Sequence, residues 1–406
     1  MELPEGWTKS NLQELASVDS GQGAPQGEKW YNGEMVFVKA GDLNFLSAGK
    51  YVGEYCKRIS NVAITKYKLK KYQKNSVVFP KSGMSVKTDN IALLKYDSYV
   101  VNHLAIIQTK NNSENLAKYI YYLLKHMKVS QLSLNEAYPS IRLSDLKKLK
   151  VILPPPEHLT KIVAILEKAE KLQELRHESG KLTDDYLVSI FCKTFGDPIN
   201  NPKNFDVIKL RSVFSKSRSG SRCGPFGSAL KKNEYTDSGI PVWTMDNIIN
   251  GTFSEKNCLH ISEKKFRELQ AYSVENGDII ISRAGTVGKM AVVQTSVPKS
   301  IISTNLIRLS LDKSMVSPIF FVCLMEYFKG RVGRLKTGPD GAYTFMNTSV
   351  LENLEIPLPP ISVQKAFEGI FNKTNKIKDM QLKTKKSLIE LSDLIAGKVF
   401  TGDLLC

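Results

Sequence analysis

Two short loops carry side chains suited to binding phosphate groups and reading the edges of bases. Each loop follows an apolar run and places basic residues on both sides of a small turn with a hydroxyl group: Lys81, Ser82 and Lys87 in the first, and Arg283, Thr286 and Lys289 in the second. Ammonium and hydroxyl groups bind phosphate oxygens, and an arginine binds guanine bidentately. The alternative is a pair of ordinary hairpins whose basic side chains face solvent.

Two longer basic segments accompany these loops. Residues 66–74 alternate lysine with tyrosine and leucine, and residues 207–233 contain seven basic residues and no acidic one. The candidate DNA-binding residues in them are Lys66, Lys70, Lys71, Arg218, Arg222 and Lys231. A solvated surface is the alternative for either segment taken alone. The occurrence of a basic segment in both halves of the chain favours a nucleic acid.

The sequence contains no established motif for catalysis. Residues 285–289 are similar to a phosphate-binding loop, but the first glycine is missing and Met290 stands where Ser or Thr would bind magnesium. No nucleophile elbow, no HExxH motif and no Asn/Asp-Pro-Pro-aromatic tetrapeptide of amino methyltransferases occurs. The six cysteines form no CxxC pair and the five histidines no i, i+4 pair, so no metal site is expected. We therefore expect a protein that is not an enzyme; the alternative is a stand-alone DNA-modifying or DNA-cleaving enzyme with an unrecognised active site.

The charge balance agrees with a polyanionic partner. The 406 residues include 57 Lys and Arg against 40 Asp and Glu, which gives a net charge of +17. There is no apolar run of membrane-spanning length and no apolar leader in the first residues. We expect a cytoplasmic protein with reduced thiols and no membrane partner.

An internal repeat determines where the two loops lie. Leu153 and Leu358 each begin a proline-rich segment, they stand 205 positions apart, and gap-free matches at that offset continue to Phe400. Upstream, residues 77–83 align with residues 279–285, which pairs the two basic loops. The repeat predicts four segments: globular domains at residues 1–152 and 198–357, and helical segments at residues 153–197 and 358–406.

The globular halves have the pattern of α+β domains. Short β-branched runs bounded by Gly, Pro, Asn and Lys predict strands at residues 75–79, 99–108, 278–282 and 291–295. Apolar stretches predict helices at residues 116–127 and 319–328.

The two helical segments show matched heptad-like spacing. Apolar residues recur at intervals of 3, 4 and 3 in both segments: Ile162, Ile165, Ala169 and Leu172, and Phe367, Ile370, Thr374 and Ile377. Each segment predicts a helix of roughly 35 to 40 residues, or about 50 to 60 Å. Two such helices in one chain can bury these seams against each other as an antiparallel coiled coil. The alternative is that each helix packs only on its own domain.

The whole chain resembles the specificity subunits of type I restriction-modification systems. The similarity lies in the two proline-then-helix elements at Leu153 and Leu358 and in residues 224–228, 230–232, 239–242, 281–288 and 400–404. In the first half, residues 20–25 are the loose counterpart of residues 224–228.

This resemblance implies a division of labour among several polypeptides. It implies two target-recognition domains, related by a pseudo-twofold axis, that each read one half of a bipartite, asymmetric site in double-stranded DNA. The paired helices would fix the gap between the halves. It further implies that two adenine methyltransferase subunits bind this chain and supply S-adenosylmethionine, and that a restriction and translocation subunit supplies ATP and magnesium chemistry. This chain would then hold no cofactor.

Four apolar residues on the helical segments are candidates for binding the methyltransferase subunits, because they lie outside the predicted seam: Leu166, Leu175, Phe371 and Met380. The alternative is that they complete the chain's own seam or pack on the globular domains. A further interpretation of the whole sequence is a purely structural scaffold whose positive charge is incidental.

Overall fold

The structure, a computed structural model, describes residues 3–46, 49–133, 136–226, 229–249, 251–283, 285–334 and 346–403. Gly227, Ser228, Ala284 and Leu404, which belong to the motifs above, lie outside these ranges. The chain forms two compact units: unit 1 comprises the described residues up to Ser179 and from Gln381 onward, and unit 2 is Gly180–Met380.

The described part of unit 1 contains eleven strands, four short or medium helices and parts of two long ones. The strands are β1 (Thr8–Asn11), β2 (Ala16–Ser20), β3 (Met35–Val38), β4 (Tyr51–Val52), β5 (Lys57–Ile59), β6 (Lys71–Tyr72), β7 (Val77–Pro80), β8 (Ala92–Leu94), β9 (Ser98–Val100), β10 (Leu104–Thr109) and β11 (Lys150–Leu153). The helices are α1 (Leu12–Leu15), α2 (Asn61–Lys66), α3 (Glu114–Met127), α4 (Leu143–Lys147) and the long α5 (Pro156–Phe195).

Unit 2 repeats this series of elements. Its strands are β12 (Asp206–Lys209), β13 (Ser221–Cys223), β14 (Tyr235–Thr236), β15 (Ile240–Trp243), β16 (Ile248–Ile249), β17 (Thr252–Phe253), β18 (Leu259–Ile261), β19 (Ile279–Ser282), β20 (Met290–Val292), β21 (Ile301–Ile302), β22 (Leu306–Leu309) and β23 (Glu355–Leu358). The helices are α6 (Glu263–Glu268), α7 (Pro318–Phe328), α8 (Thr348–Glu352) and α9 (Ile361–Thr401).

The sheet topology confirms the internal repeat. The larger sheet of unit 1 has the order β2-β10-β7-β8-β4, and its counterpart in unit 2 has the order β13-β22-β19-β20. The second sheets are β5-β3-β9-β6 and β14-β18-β15-β21, and each contains one parallel pair, β3 with β9 and β15 with β21. In each unit a final antiparallel pair joins the first strand to the last, β1 with β11 and β12 with β23.

The central strands are apolar without interruption because both of their faces are buried. Along β7, Val77 and Phe79 pack in the core beneath α3, whereas Val78 faces the second sheet. In unit 2, Ile281 of β19 packs in the core beneath α7, and Ile280 packs with Trp243 of β15. Successive side chains of a strand point to opposite faces, so a strand between two layers needs apolar residues at every position.

The predicted strand at residues 99–108 is two strands. β9 ends at Val100 and β10 begins at Leu104, and the intervening residues form a turn. The predicted strand at residues 291–295 ends earlier, at Val292. The predicted helices near residues 116–127 and 319–328 are confirmed as α3 and α7.

The two long helices pair in an antiparallel manner within each unit. In unit 1, Val399 of α9 shares a core with Ile162 of α5, and the Gln381 side-chain amide donates to the Ser179 hydroxyl at 3.0 Å. In unit 2, Lys378 and Asp184 form an ion pair at 2.6 Å. The Phe367 ring lies 5.2 Å from that of Phe191, farther along α5.

The predicted seam is wrong at three positions. Ile165, Leu172 and Ile377 are 38%, 43% and 46% exposed, whereas the neighbouring Val163 and Leu166 are buried. For Ile165 and Leu172 the reason is that α5 packs on the globular core of unit 1 as well as on α9, which widens and turns its buried stripe. Heptad spacing in the sequence shows only that one face is apolar, not which neighbours that face meets.

Candidate nucleic-acid interface

Three loops meet at one edge of the larger sheet in unit 1. Residues 21–24 follow β2, residues 81–87 follow β7, and residues 101–103 precede β10; we call this group loop junction 1. The Lys81 N–H donates to the His103 carbonyl at 2.9 Å, and the Asn102 N–H donates to the Gln22 carbonyl at 2.9 Å. Backbone hydrogen bonds therefore hold the three loops against one another.

Unit 2 contains the same junction. Residues 224–226 follow β13, residues 283–289 follow β19 and residues 303–305 precede β22; the described residues of these loops form loop junction 2. Here the Arg283 N–H donates to the Asn305 carbonyl at 3.0 Å, as Lys81 does to His103. The loops that the repeat paired in the sequence thus occupy equivalent places, with Arg283 equivalent to Lys81 and Asn305 to His103.

A glycine at each junction permits close packing of backbone on backbone. A Cβ on Gly21 would lie 2.0 Å from the Val100 carbonyl oxygen, and one on Gly224 would lie 1.9 Å from the Ser303 carbonyl oxygen. Gly21 and Gly224 also donate equivalent hydrogen bonds, to the carbonyls of Leu104 and Leu306. The weak sequence similarity of residues 20–25 to residues 224–228 therefore corresponds to a real structural equivalence.

Replacement of Gly21 by alanine is expected to disrupt loop junction 1. The added methyl group meets a backbone carbonyl that cannot move without displacing β9, so we expect a loss of about 1–3 kcal/mol in the free energy of unfolding and weaker DNA binding. Gly23 is the matched control, because a Cβ there has no atom within 4 Å. Urea unfolding and fluorescence anisotropy with a labelled duplex measure both effects; equal behaviour of Gly21→Ala and Gly23→Ala would contradict the assignment.

Loop junction 1 presents a histidine that the sequence did not single out. The Ser82 hydroxyl lies 3.0 Å from Nδ1 of His103, which fixes the imidazole ring and leaves its Nε2 edge for a ligand. His103 and Lys87 are exposed, and Lys81 is half-buried. In the sequence, His103 falls inside the single strand predicted over residues 99–108. The signal that could have identified it is its equivalence to Asn305: His103 directly precedes Leu104, as Asn305 directly precedes Leu306.

Loop junction 2 presents an arginine held on an aromatic ring. The Arg283 guanidinium lies 4.6 Å from the centre of the Phe226 ring, and its Nη1 is buried without a hydrogen-bond partner in the described residues. Stacking orients the guanidinium plane without using its N–H donors. Thr286, Lys289 and Asn305 are exposed beside it.

The Ser282 hydroxyl holds the turn that carries these exposed groups. It accepts the Lys289 N–H at 2.9 Å and donates to the Thr286 carbonyl. Arg283 therefore leaves the end of β19 in a fixed direction, and Lys289 begins the return to β20.

The lysine segment of unit 1 adjoins loop junction 1. The Gln22 side-chain amide donates to the Lys68 carbonyl at 2.9 Å and its oxygen accepts the Lys70 N–H. Lys66 lies 4.9 Å from the Trp30 ring centre, which adds an aromatic group that the sequence did not single out. The segment is partly neutralised, since two of its lysines form exposed ion pairs: Lys70 with Asp19 at 2.6 Å and Lys71 with Asp97 at 3.4 Å.

Arg218 and Arg222 lie in a different environment from Arg283, and their role in DNA binding stays a prediction. Arg218 forms an ion pair with Asp278, which precedes β19, whereas Arg283 follows it. Asp278 and Arg283 are five positions apart along an extended strand, so they lie about 16 Å from each other. The Arg222 guanidinium lies 5.3 Å from the Tyr272 ring centre, and its Nε is buried without a hydrogen-bond partner in the described part of the chain.

The cluster that contains Arg218 is internal. Arg308, 2% exposed, donates to the carbonyls of Ser273 and Ser219 at 2.6 and 2.7 Å. Burial, reinforced by the Arg218 charge, lowers the pKa of Arg308 to about 10. These contacts hold the loop before β13 in place. Lys231, by contrast, is exposed, and its N–H donates to the Glu234 carboxylate at 2.6 Å.

Two of the four predicted partner-docking residues belong to the chain's own cores. Leu166 is 5% exposed in the core of unit 1, and Phe371 is half-buried against the core of unit 2. For these two residues the structure agrees with the alternative that they pack on the chain's own domains, because the globular cores cover those helix faces. Leu175 and Met380 are 48% and 60% exposed. Other exposed leucines lie on the same helices: Leu182, Leu382, Leu391 and Leu394.

Neither a metal-binding cluster nor a membrane-spanning helix occurs among the described residues. Those residues include no group of three or more His, Cys, Asp or Glu side chains placed to hold a metal ion. Of the helices that the structure describes, none combines the length and the apolar character needed to cross a membrane.

The chain consists of two copies of one α+β unit, and each copy has a basic loop junction. The profile of the type I restriction modification DNA specificity domain matches residues 4–181 and 202–391. The chain therefore belongs to this family and contains two copies of its domain.

Individual relatives agree with the family. The type I restriction enzyme MjaIX specificity subunit of Methanocaldococcus jannaschii is 30% identical over 169 residues, which are 41% of this chain and 38% of that protein. The MjaVIII specificity subunit of the same organism is 21% identical over 307 residues, 70% of each chain.

Two solved structures share the fold over nearly the whole length. The S subunit of a type I restriction-modification system from M. genitalium has a TM-score of 0.57 at 16% identity, with 98% of both chains covered. A chain from a study of complex assembly and conformational transition of the type I R-M system has a TM-score of 0.58 at 18% identity, with 100% of both chains covered.

Proposed function

We propose that this chain is the sequence-specific DNA-recognition subunit of a type I restriction-modification complex. The observation that carries the proposal is the repeated loop junction. In each unit, a basic residue, a hydroxyl-bearing turn and a polar side chain lie together at the same end of the larger sheet. Loop junction 1 offers Lys81 and His103 where loop junction 2 offers Arg283 and Asn305. Because the equivalent side chains differ, the two units read different base pairs, and the target is a bipartite, asymmetric site.

The paired helices set the gap between the two half-sites in this proposal. A pseudo-twofold chain on duplex DNA needs a fixed separation between its two reading surfaces. Helices of 40 and 41 residues supply stiff elements of suitable length. Antiparallel pairing within each unit supports this role.

The same helices bind two adenine methyltransferase subunits. Leu175 and Met380 are the two predicted docking residues that are exposed, and Leu182, Leu382, Leu391 and Leu394 extend the apolar surface. A partner that covers half-exposed leucines on a helix stabilises the complex by removing apolar surface from water. Full burial of one such side chain contributes about 1.5–3 kcal/mol of free energy. The methyltransferases flip the target adenines and bind S-adenosylmethionine, and a restriction subunit uses ATP and magnesium. This chain contributes no cofactor and no catalytic residue.

Two incubations separate this function from that of a stand-alone enzyme. The purified chain with DNA, magnesium, ATP and S-adenosylmethionine is expected to produce neither cleavage nor methyl transfer. Coexpressed with its methyltransferase, it is expected to direct adenine methylation, and sequencing of the modified adenines gives both half-sites and the gap. Modification or cleavage by the chain alone would establish the enzyme alternative instead.

A further inference from the structure

A carboxylate of α5 attaches the globular part of unit 1 to the long helix. Glu170 accepts hydrogen bonds from two residues of α3, Lys125 at 2.6 Å and the Tyr122 hydroxyl at 2.7 Å. The Tyr121 hydroxyl donates at 3.3 Å and Lys50, beside β4, at 3.4 Å. Four donors from the globular part therefore converge on one helix side chain.

A second carboxylate, one turn earlier, extends the attachment. Glu167 lies 2.9 Å from Lys50 and 3.1 Å from Lys118, so Lys50 bridges both carboxylates. We call Glu167 and Glu170 with Lys50, Lys118, Lys125 and Tyr122 the charged clamp.

Three side chains of the charged clamp are largely shielded from water, whereas those of Glu167 and Lys125 are 34% and 50% exposed. The side chains of Lys50, Lys118 and Glu170 are 13%, 13% and 16% exposed, against 47% and 82% for the surface pair Lys57–Glu28. Exposed pairs contribute little because solvent screens them, whereas removal of one partner from a shielded pair leaves an uncompensated charge. The clamp therefore resists displacement of the globular part along or around α5.

Unit 2 attaches its globular part to α9 by a largely neutral contact. Gln364 is fully buried; its oxygen accepts the Ser317 N–H at 2.8 Å, and its amide donates to the carbonyls of Met315 and Pro359 at 3.1 and 2.7 Å. The Ser317 hydroxyl donates to Glu368 at 2.8 Å. The globular part is thus attached to a long helix mainly by ion pairs in unit 1 and mainly by neutral hydrogen bonds in unit 2.

We propose that Glu170 is a positioning residue for half-site spacing: it fixes the orientation of the first recognition domain on α5 and thereby the gap that the chain accepts. This inference rests on the proposed function. It assigns to the charged clamp a specificity role that is separate from base reading, because no clamp residue belongs to loop junction 1.

The ionisation of the clamp follows from its contacts. Burial by itself would raise the pKa of the Glu170 carboxyl, but Lys125, Tyr122 and Lys50 outweigh burial and hold the pKa below its ordinary value. A carboxyl with a lowered folded pKa adds stability that is present above the unfolded value, about 4.3. That stability is lost as the pH falls through the folded pKa, so the clamp is intact at neutral pH.

The test compares Glu170→Gln with Glu174→Gln, each coexpressed with the methyltransferase. Glu174 is the matched control, since it lies one turn farther along α5 and, among the described residues, forms its ion pair with the exposed Lys171 at 3.3 Å. On DNA carrying the two native half-sites at the native gap, or one base pair longer or shorter, wild type and Glu174→Gln should discriminate alike. Glu170→Gln should lose at least about tenfold of that discrimination while the half-site sequences stay the same.

Tyr122→Phe provides a second variant in case Glu170→Gln does not fold. It removes a single hydroxyl from the charged clamp and should relax gap discrimination in the same direction by a smaller factor. Unchanged gap discrimination in a folded variant with a lowered Tm would show a merely structural role and overturn the inference. Failure of the wild-type complex to methylate any bipartite site would instead overturn the proposed function, so the two failures are distinguishable.

Discussion

Replacement of both Arg283 and Lys289 by alanine is expected to reduce methylation of the native site by about 10- to 100-fold. Arg283 is the residue of loop junction 2 whose guanidinium is oriented by the Phe226 ring while its Nη1 has no hydrogen-bond partner in the described residues. Loss of one bidentate guanine contact costs about 1–3 kcal/mol. Lys289 lies exposed at the other end of the same turn, where it can neutralise a phosphate.

Salt dependence separates the two contributions. Each phosphate contact removed should reduce the slope of log K against log salt by about 1, whereas loss of a base contact lowers affinity for the native site more than for unrelated DNA. Arg283→Ala should therefore relax the sequence preference of one half-site, and Lys289→Ala should weaken binding uniformly. Fluorescence anisotropy over a salt series, with native and unrelated duplexes, measures both.

The control is the double variant Arg211→Ala with Lys313→Ala, which removes the same number of positive charges from other residues. Both residues are exposed, and Lys313 donates to the Asn276 carbonyl, at the end of β19 opposite Arg283. This variant should retain methylation close to the wild-type rate. If the Arg283 and Lys289 variant also did, the positive charge of the loop junctions would be incidental and the chain a purely structural scaffold.

The repeat and the α+β fold could be predicted from the sequence because their determinants are local. Strands β7 and β19 are buried on both faces, so each appears as an uninterrupted apolar run followed by the same kind of turn. The ends of α5 were equally predictable, since prolines precede Pro156 and Gly196 follows Phe195.

The site was less predictable because it depends on contacts between distant residues. Arg218 and Arg222 stand in the same basic segment, but only the fold reveals that Asp278, sixty residues away, neutralises Arg218. His103 stands in a largely apolar run that the sequence predicted as one strand. That run folds as two strands, β9 and β10, and His103 lies in the turn between them. Its relation to Asn305 becomes visible only when both turns are placed beside Lys81 and Arg283.

The seam of the long helices shows the same limit. The spacing of Ile162 and Phe367 predicted one apolar face on each helix, and both residues are buried. Ile165 and Leu172 have the same spacing and are nevertheless exposed, because Val163 and Leu166 pack in the core of unit 1 instead. The sequence pattern describes the helix, whereas the buried face also depends on the domain that packs against it.

Lengthening both long helices by seven residues is expected to abolish methylation at the native gap. The insertions follow Lys171 in α5 and Ile389 in α9. These two points lie close together, as is evident from one small cavity in unit 1 that is lined both by Gln173, two residues after Lys171, and by Ile389. Seven residues keep the heptad phase, so the helices can still pair, but they add about 10 Å of length.

The physical reason is that distance and rotation along DNA are coupled. About 10 Å corresponds to about three base pairs, and with about 10.5 base pairs per turn that shift rotates a half-site by about 100°. A lengthened chain that places one recognition domain on its native half-site leaves the other displaced along the duplex and out of its groove. Methylation at the native gap should fall at least about 100-fold, and any site that survives should have a longer gap.

Sequencing of modified adenines in cells that carry the lengthened chain and its methyltransferase gives the result directly. Both seven-residue segments, fourteen residues in all, appended after Cys406 form the control, because they add equal mass without lengthening the paired helices. Thermal unfolding of both proteins checks that the insertion leaves each globular core folded. Methylation at the unchanged gap by a folded, lengthened chain would mean that the spacing is set by the recognition domains or by the methyltransferases, and that the long helices serve only as a docking surface.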